Sequence, residues 1–489
     1  MREKKKARSI RSGIIAFMLL SGLLAGCQQP ADSTDTARVA AQELTAELWL
    51  TNPDKSALFE LQQEPLLFSD STNQHPVITV EEAEAFQEMD GFGYTLTGGS
   101  AMLLHQMDAA ARAALLQELF GTAGNSIGVS YLRLSIGASD LDDRVFSYID
   151  LPAGETDPAM AKFSLEPDRA HLIPILKEIL AIYPALKLMG SPWSPPTWMK
   201  TNNNSKGGSL KPAFYDAYAQ YFVKYIQGMA AEGITIDAIT IQNEPLHPGN
   251  NPSLLMLPEE QAAFIRESLG PAFEAAGIKT KIVIYDHNAD RPDYPITVLD
   301  DPEARKYIDG AAFHLYGGEI EALSQVHAAY PGKNLYFTEQ WIGAPGNFAG
   351  DLAWHVKNLV IKGPRNWAKT VLEWNLAADP AQRPHTEGGC TQCLGALTID
   401  GNTITRNPAY YIIAHASKFV RPGSVRLGSN LPDSLPNVAY RTPDGQRVLL
   451  VLNEGKAPQA FNISYKGKNL TTTLGSGAVG TYVWRGEGQ

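Results

Sequence analysis

The sequence predicts an α/β protein: a (β/α)8 TIM barrel with an associated β-sandwich built from N-terminal and C-terminal strands. Three observations carry this. Between Gly91 and Trp374, eight short apolar, β-prone runs alternate with helical patterns. From about Ser424 onward the helical period disappears, and strands split by turns remain. A first group of strands precedes the alternating region and is placed to complete the same sandwich. A doubly wound open sheet is the competing architecture, but no glycine-rich phosphate loop follows the first run.

The elements follow in order. Residues 1–26 do not read as fold. Arg2, Lys4, Lys5, Lys6, Arg8 and Arg11 precede an apolar stretch, Ile14 to Leu24, too short to span a bilayer as a mature helix. It runs through Leu24-Ala25-Gly26 into Cys27 and resembles a bacterial lipoprotein signal. That resemblance implies cleavage before Cys27, a lipid on the cysteine, and an exported protein anchored to a bacterial membrane. Ordinary secretory cleavage near Gly26 is the alternative. Without residues 1–26, 35 Lys and Arg face 51 Asp and Glu, a formal charge of −16 against −11 for the whole chain. A mature protein this acidic is a poor partner for nucleic acid. Residues 27–45, rich in Gln, Ala, Ser, Thr and Asp, read as a tether.

Residues 46–88 hold the N-terminal strands, expected at Glu47–Leu50, Leu58–Leu61 and Val77–Val80. Residues 89–420 hold the barrel, with strands expected at Gly91–Leu96, Ser130–Ile136, Leu186–Gly190, Ala238–Ile241, Lys281–Tyr285, Ala311–Tyr316, Asn334–Thr338 and Thr370–Trp374. Between them, Asp108 to Gly121 reads as a helix with an N-cap aspartate and a terminal glycine. Pro258 to Gly270 opens with proline and acids in its first turn. Residues 421–489 supply the C-terminal sandwich strands, such as Gln446–Asn453 and Thr481–Trp484. Cys390 and Cys393 form a lone Cys-Thr-Gln-Cys. A structural zinc site wants four ligands, so a local disulfide is the expected state in an exported chain. Two free thiols, or a metal site with His385, are the alternatives.

In a TIM barrel, catalytic groups sit at the C-terminal ends of strands. Here those ends are crowded with polar and aromatic residues: Arg133 and Asp140 on and after the second, Trp193 after the third, Asn243-Glu244 after the fourth, Asp286-His287 at the fifth, His314 and Tyr316 at the sixth, Glu339 at the seventh, and Trp374-Asn375 at the eighth. Flat aromatics stack on sugar faces, and amides and acids bind hydroxyls. Two carboxylates delivered from two strand tips, Glu244 and Glu339, are what glycosidic hydrolysis requires. A glutamate at a strand end is more often a solvated loop residue, and His314 fits a satisfied core position nearly as well as a site. A metal-dependent hydrolase using His314, Asp286 and His287 is a further alternative.

The chain resembles glycoside hydrolase family 30, which includes glucosylceramidases and β-1,6-glucanases. The resemblance rests on Ser191 to Lys200 (Ser-Pro-Trp-Ser-Pro-Pro-Thr-Trp-Met-Lys), Gln242-Asn243-Glu244-Pro245, Thr338-Glu339-Gln340, Trp374-Asn375-Leu376, Ser417-Lys418-Phe419 and Arg421-Pro422-Gly423-Ser424, in this order. It implies a barrel with a sandwich, hydrolysis with retention and no cofactor. It assigns Glu244 as acid/base and Glu339 as nucleophile. Asn243 matches the residue that binds the sugar 2-hydroxyl; Asp140, Trp193, Trp374 and Asn375 match positions lining the glucose pocket. Electrostatics add expectations: Arg133 keeps Glu339 ionised, Tyr316 donates to the same oxygen, and the Glu244 pKa is raised. One departure concerns substrate. Related glucosylceramidases carry an acid where this chain has Gly98, and Gly98-Gly99 is expected to open space beside the pocket. The resemblance therefore favours β-1,6-glucan over glucosylceramide or an exo-cleaved β-glucoside. A non-catalytic glycan-binding lipoprotein is the alternative of another class.

Overall fold

The computed structural model describes residues 43–486. The expected signal segment, the expected lipidation site Cys27 and nearly all of the expected tether lie outside them. Eight parallel strands close into a barrel in chain order: β1 (Gly91–Leu96), β2 (Tyr131–Ser135), β3 (Lys187–Ser191), β4 (Ala238–Thr240), β5 (Lys281–Ala289), β6 (Ile308–Gly318), β7 (Asn334–Glu339) and β8 (Ala368–Glu373). Pairing of Thr370 with Gly91 and of Glu373 with Tyr94 joins β8 back to β1. Every residue of β1 and of β2 is buried. Barrel strands are covered on both faces, which explains why they read as continuous apolar runs rather than alternating ones.

The barrel interior is filled, not hollow. Tyr131, Met189, Ala238, Val283, Ala312, Tyr336 and Leu372 form one buried cluster, with one residue from each of β2 to β8. At β1 the place is taken by glycine: a Cβ on Gly93 would fall 1.9 Å from the Tyr131 carbonyl oxygen. This plug leaves only the C-terminal ends of the strands open for chemistry.

Two helices depart from their expected ends. Ala109–Phe120 is a helix, but Asp108 makes no side-chain cap. Its carboxylate instead accepts from Asn402 Nδ2 at 2.7 Å, a partner almost 300 residues away in sequence. Gly121 has φ −67°, so it is not a left-handed cap; a Cβ there would meet Gln117 Nε2 at 2.2 Å. The helix beginning at Pro258 is capped as expected, with Glu260 accepting from the Leu257 N–H at 2.8 Å. It does not stop at Gly270 but continues through a π-turn, Ile265–Leu269, to Ala276. Gly270 is there because the Tyr307 ring lies 2.2 Å from where its Cβ would be.

The sandwich draws on both ends of the chain. Thr45–Thr51 pairs antiparallel with Val479–Arg485, so the last residue of the expected tether is already strand. Val77–Glu88 links the two sheets: its start pairs parallel with Asn462–Ser464, and its remainder pairs antiparallel with Val425–Ser429. Leu48 and Ile78 therefore share one core with Val451, Phe461, Tyr482 and Trp484. His415, on the helix Pro408–Ser417, fastens this sandwich to the barrel, with Thr51 Oγ1 at 2.8 Å and Thr481 Oγ1 at 2.9 Å from its two ring nitrogens. Among the described residues no helix is long and apolar enough to cross a membrane. Ile78→Ala tests the shared core. It should destabilise the protein by about 2–5 kcal/mol in a denaturant titration, whereas an N-terminal strand lying outside the core would give a change near zero.

Candidate active site

The site is built around a guanidinium. Arg133 projects from the middle of β2 and is wholly buried. Its Nη1 donates to Glu339 Oε2 at 2.6 Å; its Nη2 donates to Asp286 Oδ2 at 2.7 Å and to Asn243 Oδ1 at 2.6 Å. Its charged end also lies 4.8 Å from the Trp193 ring centre. Asp286, on β5, is fully buried and saturated with donors. Ser191, Thr240 and Thr338 hydroxyls donate to it at 2.7, 2.8 and 2.7 Å. These three hydroxyls come from the ends of β3, β4 and β7, so the strand tips themselves form the socket.

Backbone geometry aims the two glutamates. Glu339 is the last residue of β7. A register shift between Phe313 and His314 sets His314 opposite Glu339 across the β6–β7 pair. Glu244, Tyr285 and Asp286 all have left-handed backbones, with φ of 47°, 66° and 72° for Glu244, Asp286 and Tyr285. Such residues cost about 1–3 kcal/mol each and persist where surrounding contacts over-determine them. Here the Glu244 N–H donates to the Asp286 carbonyl at 2.9 Å, which locks the two strained segments together. A carboxylate oxygen of Glu244, one of Glu339 and a His314 ring nitrogen lie within 4.8 Å of one another. That separation suits a retaining site, whose carboxyls sit about 5–5.5 Å apart, and is too short for an intervening water as in an inverting one.

The charges are shared. Burial alone would raise Asp286, but the Arg133 charge and the His314 hydrogen bond hold its carboxyl well below the usual range. Burial opposes a charge on His314, yet Glu339, Asp286 and Glu244 around it push its pKa up to about 9. Its Nε2 lies 3.1 Å from Asp286 Oδ1 and its Nδ1 3.3 Å from Glu244 Oε1. The expected raised pKa of Glu244 is not what its surroundings produce. Burial does push it up, but the His314 imidazolium outweighs this and lowers it. Glu339 moves the other way: burial, with Glu244 and Asp286 nearby, raises it against His314 and Arg133. These directions favour a charged His314, one hydrogen bond from Glu244. Which glutamate is the lasting anion is decided by its donors. Glu339 receives a permanent cation, Arg133, on Oε2 and the Tyr316 hydroxyl on Oε1 at 3.0 Å. Glu244 faces imidazoles, those of His314, His287 and His247, and an imidazole, unlike a guanidinium, can lose its proton. Glu339 is therefore the anion. Tyr316 donates to the opposite oxygen from Arg133, not to the same one.

The walls bring in the remaining residues. Asn243 has its Oδ1 committed to Arg133, leaving its amide nitrogen as the free donor. Trp193 and Trp374 stack on each other, 5.4 Å between ring centres, and are almost entirely buried. They form the floor together with Leu141 and Cys393, while Trp341 packs at the edge of this cluster and stays partly exposed. Asp140 is buried, and desolvation with the Glu339 charge pushes it up to about 7, against an N–H from Cys390. Cys390 and Cys393 are joined by a disulfide. Asn375 Oδ1 accepts from Ser100 at 3.2 Å behind the floor. Glu373 turns outward to His355 and takes no part. The space expected beside Gly98-Gly99 is filled. A Cβ on Gly98 would fall 1.7 Å from Asp142 Oδ1, and one on Gly99 2.6 Å from Pro384 Cγ. The glycines admit neighbours, not substrate.

Glu244, His314 and Glu339 are also metal-ligating types within reach of one another. Glu339 is already paired with Arg133, and His314 has one nitrogen engaged by Asp286, so the set fits a carboxylate site better than a metal centre. In the sequence, Asp286 has a place among the strand-end polar residues and a role only as a metal ligand, Ser191 and Thr338 have a place in motifs without a role, and Thr240 has neither. The signal was present: each is a small polar or acidic residue at the end of an otherwise apolar barrel strand.

Two carboxyls at this spacing, one held by a guanidinium at the open end of a (β/α)8 barrel, define a retaining glycoside hydrolase. The chain belongs to glycosyl hydrolase family 30: the family's TIM-barrel domain matches residues 89–420 and its β-sandwich domain residues 423–482. It is similar to the endo-1,6-β-D-glucanase neg1 of Aspergillus fumigatus, 36% identical over 414 residues, covering 79% of this chain and 82% of that protein. It is also similar to the lysosomal acid glucosylceramidase of Mus musculus, 30% identical over 84% of this chain and 83% of that one. Among solved structures, the endo-β1,6-glucanase BT3312 superposes with a TM-score of 0.85 at 36% identity, covering 91% of this chain and all of that one.

His314→Gln tests where the proton resides. Because the His314 pKa is raised in the folded state, its contribution to stability is full below about pH 6.5 and fades as pH rises through about 9. The Tm gap between wild type and H314Q should be widest at acid-to-neutral pH and shrink on the alkaline side; a constant gap would place the proton elsewhere.

Proposed function

We propose that the protein cleaves β-1,6-glucan within the chain by double displacement. The observation that carries the reaction is Glu339, fixed by Arg133 and Tyr316, beside Glu244 with its His314-held proton. Glu339 attacks the anomeric carbon while the bond to the glycosidic oxygen breaks. Glu244, supplied with a proton by His314, protonates that leaving oxygen. The glycosyl ester removes the Glu339 charge, which lowers the pKa of Glu244 and leaves it a base. Water then gives its proton to Glu244 and attacks the same carbon, the ester bond to Glu339 breaks and restores its carboxylate, Glu244 returns the proton to His314, and the sugar leaves with its original β configuration. Support for the linkage comes from the similarity to proteins named endo-1,6-β-D-glucanases, at 35–36% identity.

A glucosylceramide substrate is the second reading, favoured by the glucosylceramidase at 30% identity. Against it stands Gly98, which brings no carboxylate of its own to the first loop. Product analysis on β-1,6-glucan, β-1,3-glucan and glucosylceramide separates them; release of glucose from glucosylceramide alone would overturn the linkage. We further propose that residues 1–26 are removed and that a lipid on Cys27, through the tether 27–45, anchors the enzyme to the membrane of a bacterial cell. The support is Leu24-Ala25-Gly26-Cys27. A Cys27→Ala chain should leave the membrane fraction.

Glu244→Gln should lower kcat on β-1,6-glucan by about 10²–10⁴-fold, and much less on an aryl β-glucoside whose leaving group needs no proton. Glu339→Gln should stop turnover on both while sugar binding persists. Equal losses on both substrates for the Glu244 variant would refute its role as the acid.

A further inference from the structure

A second cleft opens on the same face of the barrel. Its volume is about 530 Å³, within the about 300–1,000 Å³ of ligand pockets, and none of Glu244, Glu339 or Arg133 lines it. Its walls come from the helix that follows β1, from the segment after β2 and from the long connection after β8. These are the connections at the C-terminal ends of the strands, so the cleft and the catalytic pocket share one surface.

The two are one layer of chain apart. Pro384, a wall of the cleft, lies against Gly99, three residues past the end of β1. Thr386, also in the wall, donates its N–H to the Asp140 carbonyl at 2.9 Å, and the Asp140 side chain feels the Glu339 charge. The lining is mixed. Met102, Leu103 and Pro384 offer apolar surface suited to the C–H face of a sugar. Gln106, Arg383 and Glu387 offer donors and acceptors suited to hydroxyls, and the side chains of these three have no partner among the described residues.

The wall is also held in shape. Thr386 Oγ1 donates to the Asn251 carbonyl at 2.5 Å, and Asn251 Nδ2 donates to the Glu387 carbonyl at 2.9 Å. Ser205 Oγ in turn donates to Asn251 Oδ1 at 2.7 Å. The connection after β8 is thus tied to those after β3 and β4, and the nearby disulfide closes its far end. A preformed, part-apolar cleft with unspent hydrogen-bonding groups saves a ligand the cost of ordering it.

We propose that this cleft is an accessory subsite that binds further glucose units of the glucan chain whose scissile bond lies between Glu244 and Glu339. The proposal rests on the reading of the protein as a glucan hydrolase and adds the place where chain length is sensed. A short substrate fills the catalytic pocket alone; a long one also reaches the Gln106 and Glu387 side chains.

The test is a length series of β-1,6-linked glucose oligomers, from two units to six, and the polymer. It uses the wild-type chain and the double variant Gln106→Ala/Glu387→Ala. Wild-type kcat/KM should rise with length. The double variant should lose about tenfold on the longest substrates, the loss expected for one or two hydrogen bonds, with the shortest cleaved substrate unaffected. Leu103→Asp, which takes the apolar wall instead, should flatten the same length dependence. Identical length profiles for wild type and both variants would overturn the subsite while leaving the glucanase reading intact. No cleavage by the wild type at any length would overturn both.

Discussion

Burying the Arg133 guanidinium is the constraint from which the site follows. A cation with no solvent contact must be matched by anions and by acceptors for its protons, or the fold pays several kcal/mol. Asp286 and Glu339 supply the charge, and Asn243 and Ser191 supply further acceptors. Asp286 then needs donors of its own, and it draws them from Thr240, Thr338 and His314. One buried charge therefore fixes side chains from β2 to β7. Glu339 is held as a carboxylate for the same reason that the barrel mouth tolerates an arginine.

The proton of the reaction is placed by a second consequence of that constraint. Asp286 remains ionised because of Arg133, and Glu339 together with the ionised Asp286 keeps His314 charged. His314 then lowers Glu244 instead of leaving a lone protonated carboxyl in a hydrophobic pocket. Glu244 and Glu339 are distinguished by their partners. A guanidinium never gives up its proton, whereas an imidazole does, so only Glu244 is served by a group able to exchange one.

The rim of the site depends on long connections rather than on strands. The segment after β8 carries the disulfide, donates the Cys390 N–H to Asp140 and packs Pro384 onto Gly99. Substrate preference in a shared barrel resides in such connections, because the strand tips are already committed to catalysis.

Much of this was legible in the sequence. The eight barrel strands read correctly because burial on both faces leaves a continuous apolar run, and Glu244 and Glu339 stood out as acids ending such runs. The sandwich at both ends of the chain was legible from alternation in Thr45–Thr51 and from an apolar run in Val479–Arg485, though their pairing was not. What only the tertiary structure decided involves partners distant in sequence. Asp108 caps no helix because Asn402 competes for it; Gly98-Gly99 opens no space because Asp142 and Pro384 occupy it; the Glu244 pKa runs opposite to expectation because His314 lies against it. Local propensity and periodicity are properties of neighbours along the chain, and a sequence displays them directly. Charge compensation and steric filling are properties of neighbours in space, and they exist only once the barrel has closed.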